Sequence, residues 1–134
     1  MKYMLDTNMI AYIINKKPRH VLGKFREYDQ DDICISAFTM AELEYGIENS
    51  SRPEQNRMAL TFFLSGIKIL PFEDKAAAEY GKISADLRRR GQPIGAKDLF
   101  IAAHAKAEGL ILVTNNTREF SKVRGLRHGN WALK

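Results

Sequence analysis

Apolar positions fall into short continuous runs that alternate with stretches of helical spacing. Lys2 to Leu5 predicts a short strand that runs into Asp6-Thr7-Asn8, residues with turn and N-cap chemistry. Met9 to Ile14 predicts a short helix stopped near Asn15 and Pro18. Val21, Leu22, Phe25 and Tyr28 follow at helical intervals, and the acidic turn from Asp29 to Asp32 leads into a second strand, Ile33 to Ile35. Thr39 to Ile47 predicts a helix with Met40, Leu43 and Ile47 on one face, and Pro53 suits the first position of another helix that ends about Leu64. A third strand, Ile67 to Leu70, is closed by Pro71. The longest helix spans Asp74 to Arg90 with Gly91 as its expected C-cap, and Ala96 to Glu108 ends in the same way at Gly109. Leu110 to Val113, apolar throughout, has the pattern of a strand buried on both faces, and a weak final strand is expected near Leu126.

Strands alternating with helices predict an α/β sandwich around a mostly parallel sheet of four or five strands. At 134 residues the chain has room for one core of normal size, so residues 1–134 are expected to form a single domain. No apolar run approaches the roughly 20 residues that span a bilayer. Asp6 stands where a signal peptide would be building its apolar stretch, so a cytoplasmic protein without membrane contact is expected. The single cysteine, Cys34, lies between Ile33 and Ile35 and reads as a small buried hydrophobe. Net charge is +5, from 21 Lys and Arg against 16 Asp and Glu. The basic residues gather at Lys16-Lys17-Pro18-Arg19, at Arg88-Arg89-Arg90, and at Arg118, Lys122, Arg124 and Arg127. Each cluster alone fits a solvated helix end. Beside an acidic metal site, all three fit a polyanion.

In open parallel sheets, ligands collect outside the carboxyl ends of the strands. Asp6 follows the first strand, Glu42 lies in the first turn of the helix after the second, and Asp98 lies in the first turn of the helix before the last long strand. Asn115, Asn116 and Glu119 follow that strand. Each also has a structural role open to it. Asp6 is suited to cap a helix, Asp98 to complement a helix dipole, and the Thr39–Glu42 and Asn116–Glu119 spacings match capping boxes. Together, however, carboxylates repel and raise one another's pKa unless a cation neutralises them. Mg²⁺ prefers oxygen ligands, acidifies water and stabilises charge on a phosphate oxygen. Acidic ligands inside a basic protein are what metal-assisted phosphodiester hydrolysis requires.

The sequence Met4-Leu5-Asp6-Thr7-Asn8, Ser36 leading to Glu42-Leu43-Glu44-Tyr45-Gly46, Asp98-Leu99-Phe100-Ile101-Ala102-Ala103-His104-Ala105, and Thr114-Asn115-Asn116-Thr117-Arg118-Glu119-Phe120 resembles a PIN domain. More narrowly, it is similar to the VapC toxins, and the resemblance covers nearly the whole chain. It implies a three-layer α/β/α sandwich and a Mg²⁺- or Mn²⁺-dependent endoribonuclease that cuts a folded RNA such as a tRNA and is restrained by a cognate antitoxin. A homodimer, or a higher toxin–antitoxin assembly, is implied as well. Carried onto these residues, the resemblance makes Asp6, Glu42 and Asp98 the acidic metal ligands. Many members place an aspartate where this chain has Asn116, an amide that can coordinate but brings no charge. Glu119 is the candidate substitute for the missing carboxylate. Thr7, Asn8, Ser36 and Thr114 are candidate supports for the ligands. Arg88, Arg118, Lys122, Arg124 and Arg127 are candidate RNA contacts.

Other chemistries fit less well. A phosphorylated receiver domain needs adjacent acids after its first strand, whereas Asp6 is flanked by Leu5 and Thr7. An Asp-x-Asp phosphatase fails at Asn8. A non-catalytic relic that binds RNA or antitoxin stays open through Asn116, against the retention of Asp6, Glu42 and Asp98. His104, mid-helix, reads as a packed or surface residue. His20 and His128 lie in basic segments, and Phe120 and Trp131 are suited either to base stacking or to anchoring the chain end.

Overall fold

Strands β1 (Tyr3–Leu5), β2 (Ile33–Ser36), β3 (Lys68–Leu70), β4 (Ile111–Val113) and β5 (His128–Gly129) pair in the order β3-β2-β1-β4-β5, every pair parallel. These are the strands of a computed structural model that describes residues 1–133. The helices are α1 (Thr7–Asn15), α2 (Arg19–Arg26), α3 (Ala37–Glu48), α4 (Pro53–Leu64), α5 (Asp74–Arg89), α6 (Ala96–Ala107) and α7 (Thr117–Phe120).

The pleat sorts the strand residues into two cores. Met4 is in register with Cys34 and Leu112, and all three pack on one face against Ile83 and Leu87 of α5, Ile101 of α6 and Phe120. The alternate residues Leu5, Ile33, Ile35 and Val113 pack on the other face against Met9, Ile10, Val21, Leu60 and Phe63. The three-layer α/β/α sandwich with a parallel sheet is therefore present, with five strands. Cys34 is fully buried, and desolvation pushes its thiol up to about 12, which removes the thiolate a nucleophile needs.

Two glycines act as anticipated. Gly109 has φ 67°, its N–H bonds the Lys106 carbonyl, and the Leu110 N–H bonds the Ala105 carbonyl. Gly91 has φ 65° with the same pair of bonds, to Arg88 and from Gln92 to Leu87. Both are Schellman caps, in which only a residue tolerating positive φ closes the helix. The cap at Gly109 turns the chain from α6 directly into β4.

Helix starts differ from the sequence reading. α3 begins at Ala37 because Ser36 Oγ accepts the Phe38 N–H at 3.1 Å. Thr39 is thus inside the helix and buried, no Thr39–Glu42 capping box forms, and Glu42 falls in the second turn rather than the first. α1 begins at Thr7 because Asp6 caps it. The final strand is His128–Gly129, while Leu126 is buried in the core instead. It is held by the Leu112 N–H on the Arg127 carbonyl and the Thr114 N–H on the Gly129 carbonyl, both 2.9 Å.

Two contacts fasten the layers. His104 is fully buried, with Nδ1 2.8 Å from Ser36 Oγ, so the N-terminus of α3 is tied to α6; its Nε2 faces the Pro71 carbonyl without closing a well-formed hydrogen bond. Trp131 stacks on Tyr28 with centroids 5.1 Å apart and meets the edge of Tyr3, while His20 Nε2 hydrogen-bonds the Ala132 carbonyl. Trp131 therefore anchors the chain end in the core.

Candidate active site

All five strands are parallel, so their carboxyl ends share one edge of the sheet, and the acids gather there. Asp6 directly follows β1, and its N–H bonds the Val113 carbonyl of β4 at 3.0 Å. Its Oδ1 accepts the Met9 N–H at 2.9 Å, so it caps α1 and belongs to the acidic group at once. Only 8% of Asp6 is exposed. Burial raises its pKa, the Thr114 hydroxyl and the Met9 N–H oppose that rise, and the charges of Asp98 and Glu42 add to it.

Asp98, in the first turn of α6, is half-buried. Its pKa is also raised, by desolvation first and then by the charges of Glu119 and Glu42, against a hydrogen bond from Asn116. That bond runs from Asn116 Nδ2 to Asp98 Oδ2 at 3.0 Å. Asn116 precedes α7 without a side-chain capping bond, so its amide serves the acids rather than the helix end. Its N–H bonds Thr114 Oγ1 at 2.9 Å, and Thr114 is fully buried beside Asp6.

Glu42 reaches the group from α3. Thr7 Oγ1 donates to its Oε1 at 2.9 Å, and Lys97 Nζ lies 3.6 Å from its Oε2. Glu119 has a buried Oε2 without a hydrogen-bond partner, with Lys122 Nζ 3.7 Å away.

The structure therefore brings Asp6, Glu42, Asp98, Asn116 and Glu119 to one end of the sheet, with Thr7 and Thr114 bonding or flanking acids. Two candidate supports stand apart. Asn8 is exposed with no hydrogen bond to an acid, and Ser36 is buried against His104 and the Phe38 N–H. Among the basic candidates, Arg88 and Arg118 are exposed, the former in the last turn of α5 before the loop into α6, the latter beside Glu119. Arg124 lies 3.7 Å from Asp86. Arg127 donates to the Gly109 carbonyl at 2.6 Å, which puts it at the amino end of β4, away from the acids. Lys97 went unnoticed in the sequence because a single lysine one residue before Asp98 carries no pattern. Its contact is across helices.

Among the described residues, no three His, Cys, Asp or Glu side chains converge tightly enough to enclose an ion unaided. The donor set nevertheless fits a hard divalent cation. It is all oxygen, two of its carboxyls are raised by burial and mutual repulsion, and one buried carboxylate oxygen lacks a hydrogen-bond partner. A Mg²⁺-like ion completes such an open set with water.

Fold and site together define a PIN domain: the family's sequence profile matches residues 3–126, and the chain belongs to this family. Nucleases of the family generally depend on divalent metal ions. Within it, the chain is 47% identical over 131 residues to Ribonuclease VapC2 of Haemophilus influenzae, covering 98% of each. It is 46% identical over 132 residues to the tRNA(fMet)-specific endonuclease VapC of Shigella flexneri, covering 98% of this chain and 99% of that one. Among solved structures, VapBC2 from Rickettsia felis bound to a DNA fragment from their promoter matches with a TM-score of 0.91 at 41% identity, over 98% of this chain and 99% of that chain.

The raised pKa of Asp98 has a consequence for stability. A carboxyl whose pKa is higher folded than unfolded favours the folded state below its ordinary pKa, and that contribution is lost as pH rises through the folded value. In the metal-free protein, Asp98→Asn is therefore expected to raise the urea midpoint at pH 7 in EDTA, with the gain shrinking as pH falls toward about 4. A variant less stable than wild type at pH 7 would contradict the electrostatic account.

Proposed function

We propose that this chain is the toxin of a toxin–antitoxin pair. It is an endoribonuclease that hydrolyses phosphodiester bonds in RNA with Mg²⁺ or Mn²⁺ and is silenced by a cognate antitoxin. The observation that carries this reading is the convergence of Asp6, Glu42, Asp98 and Glu119 at one sheet edge of a protein with net charge +5. Asp6, Glu42 and Asp98 would hold the ion, with Asn116 or Glu119 completing the site. A divalent ion held there supplies charge stabilisation at a phosphate oxygen and makes a water more acidic.

The side chains around the acids have separate tasks. The Met9 N–H and Thr114 fix Asp6, Thr7 fixes one oxygen of Glu42, and Asn116 fixes one oxygen of Asp98. Pre-set ligands need no rearrangement at the moment of reaction. Arg88 and Arg118, exposed at this end, are suited to backbone phosphates. A relative named a tRNA(fMet)-specific endonuclease supports a structured RNA as substrate, cut in a single-stranded loop whose bases can splay. An RNA target supports action in the cytoplasm; among the described residues, no helix is long and apolar enough to cross a membrane.

The VapBC complexes among the structural neighbours support an antitoxin partner and a higher assembly, with a homodimer as its expected unit. Beside Thr7 and Glu42 opens a groove of about 370 Å³ whose apolar wall includes Ala11, Ile14, Leu43, Ile47 and Leu60. An inhibitor combining apolar anchors for this groove with an Arg or Lys directed at Asp6 and Asp98 would neutralise the acids and exclude the ion. A co-crystal with the partner bound only on the face away from these acids would overturn that placement.

The deciding experiment is sequencing of RNA ends after incubation with pure protein, with and without Mg²⁺. Cleavage is expected only with the metal, and Asp98→Ala is expected to lower it about a thousandfold, the size of several kcal/mol of lost charge stabilisation. Metal-independent cleavage, or near-normal turnover by a folded Asp98→Ala protein, would sink the assignment. An absence of cleavage with folded wild type would favour the non-catalytic relic.

Asn116 provides a separate measurement. With an amide against Asp98, the site holds one negative charge fewer than an aspartate would give it. Asn116→Asp is expected to tighten Mn²⁺ in a calorimetric titration, and Glu119→Gln to weaken it, the two effects partly cancelling in the double variant. Unchanged affinity in both single variants would remove these residues from the metal site and leave the three-acid core.

A further inference from the structure

Lys97 occupies a position that a helix disfavours for a lysine. It is the second residue of α6, in the first turn, where the helix dipole is positive and no side chain caps the end. Its ammonium reaches from α6 to α3 and lies 3.6 Å from Glu42 Oε2, while Thr7 holds Oε1 at 2.9 Å. Glu42 thus stands between one short bond to a neutral hydroxyl and one longer approach by a cation. The Lys97 side chain is 74% exposed and that of Glu42 28%, so the pair is screened and adds little to folding. That small gain is offset by the unfavourable dipole, which leaves the fold no clear benefit from a lysine at this position. A local rule broken without structural return marks a residue whose use lies elsewhere.

The two partners of Glu42 differ in what they can do when a second cation arrives. Thr7 carries no charge and stays compatible with a metal ion at the other oxygen. Lys97 cannot share that oxygen with a divalent ion without repulsion. Displaced, its ammonium remains attached beside Asp98 on a long, solvated side chain, and a phosphate at the acids is the nearest new anion for it.

We propose that Lys97 is an exchangeable counter-ion of the active site: it neutralises Glu42 in the metal-free protein and passes to a phosphate oxygen of the RNA backbone when a divalent cation engages Glu42. This rests on the nuclease reading given above and adds a substrate-binding residue to it. No bond is made or broken by Lys97. Its tasks are charge compensation and positioning of the RNA backbone, in sequence.

The test compares wild type with Lys97→Met, which keeps the length and removes the charge, and with Lys97→Arg, which keeps the charge. The first readout is calorimetric Mn²⁺ binding without RNA. The second is binding of a short labelled single-stranded RNA with Ca²⁺ in place of Mg²⁺, as a function of KCl. Lys97→Met is expected to bind Mn²⁺ about two- to fivefold more tightly, because its competitor at Glu42 is gone. The same variant should bind RNA several-fold more weakly, with the salt slope reduced by about 0.7, the value for one phosphate contact on a single strand. Lys97→Arg should keep the wild-type slope. Unchanged Mn²⁺ affinity in Lys97→Met, or an unchanged salt slope, would overturn the proposal while leaving the nuclease reading intact. A folded wild type that binds no Mn²⁺ would overturn both.

Discussion

Like charges held close at low solvent exposure repel, and a parallel sheet that ends all its strands on one edge concentrates that repulsion there. Four acids meet at this edge, and the surroundings of each are fitted to it. The most buried, Asp6, is met by neutral donors, the Met9 N–H and the Thr114 hydroxyl. Asp98 is met by the Asn116 amide, and the more exposed Glu42 and Glu119 have lysines within 4 Å. Neutral dipoles thus meet Asp6 and Asp98, and cations stand beside Glu42 and Glu119. The pKa values of Asp6 and Asp98 are raised first by burial and then by the charges of the neighbouring acids, and these donors offset the rise only in part.

The fixed separation of the acids depends on the elements behind them. Asp6 is tied to β4 through the Val113 carbonyl, and the Schellman cap at Gly109 sets where β4 begins after α6. α3 and α6, which carry Glu42 and Asp98, are joined through the buried Ser36–His104 contact. A serine considered as a support for metal ligands therefore works one step further back, on the helix that bears a ligand candidate.

Much of this could be read from residue pattern. Strands with continuous apolar runs, glycines just past helix ends, and acids placed after strands or in first helical turns each have a local cause, so a single chain carries the signal. The boundaries that moved did so because two capping groups compete within a few residues. Ser36 and Thr39 can each start a helix, and burial of Thr39 settles it in favour of Ser36. Contacts across the fold left no such trace. The basic run after β4 reads as one cluster, yet Arg127 folds back to the Gly109 carbonyl at the far end of the sheet. Lys97 meets Glu42 only because α3 and α6 lie side by side.

Asp6 combines two duties that elsewhere fall to separate residues, closing the first turn of α1 and contributing charge to the acidic edge. The first duty needs only an oxygen that accepts the Met9 N–H, whereas the second needs the negative charge. Asparagine satisfies the first and not the second, and alanine satisfies neither, at a cost of about 1 kcal/mol for a lost cap. Exchanging one oxygen for an NH₂ group thus separates the architecture of this protein from its chemistry at a single atom. The asparagine form keeps the capped first turn of α1 while removing one negative charge from the acidic edge.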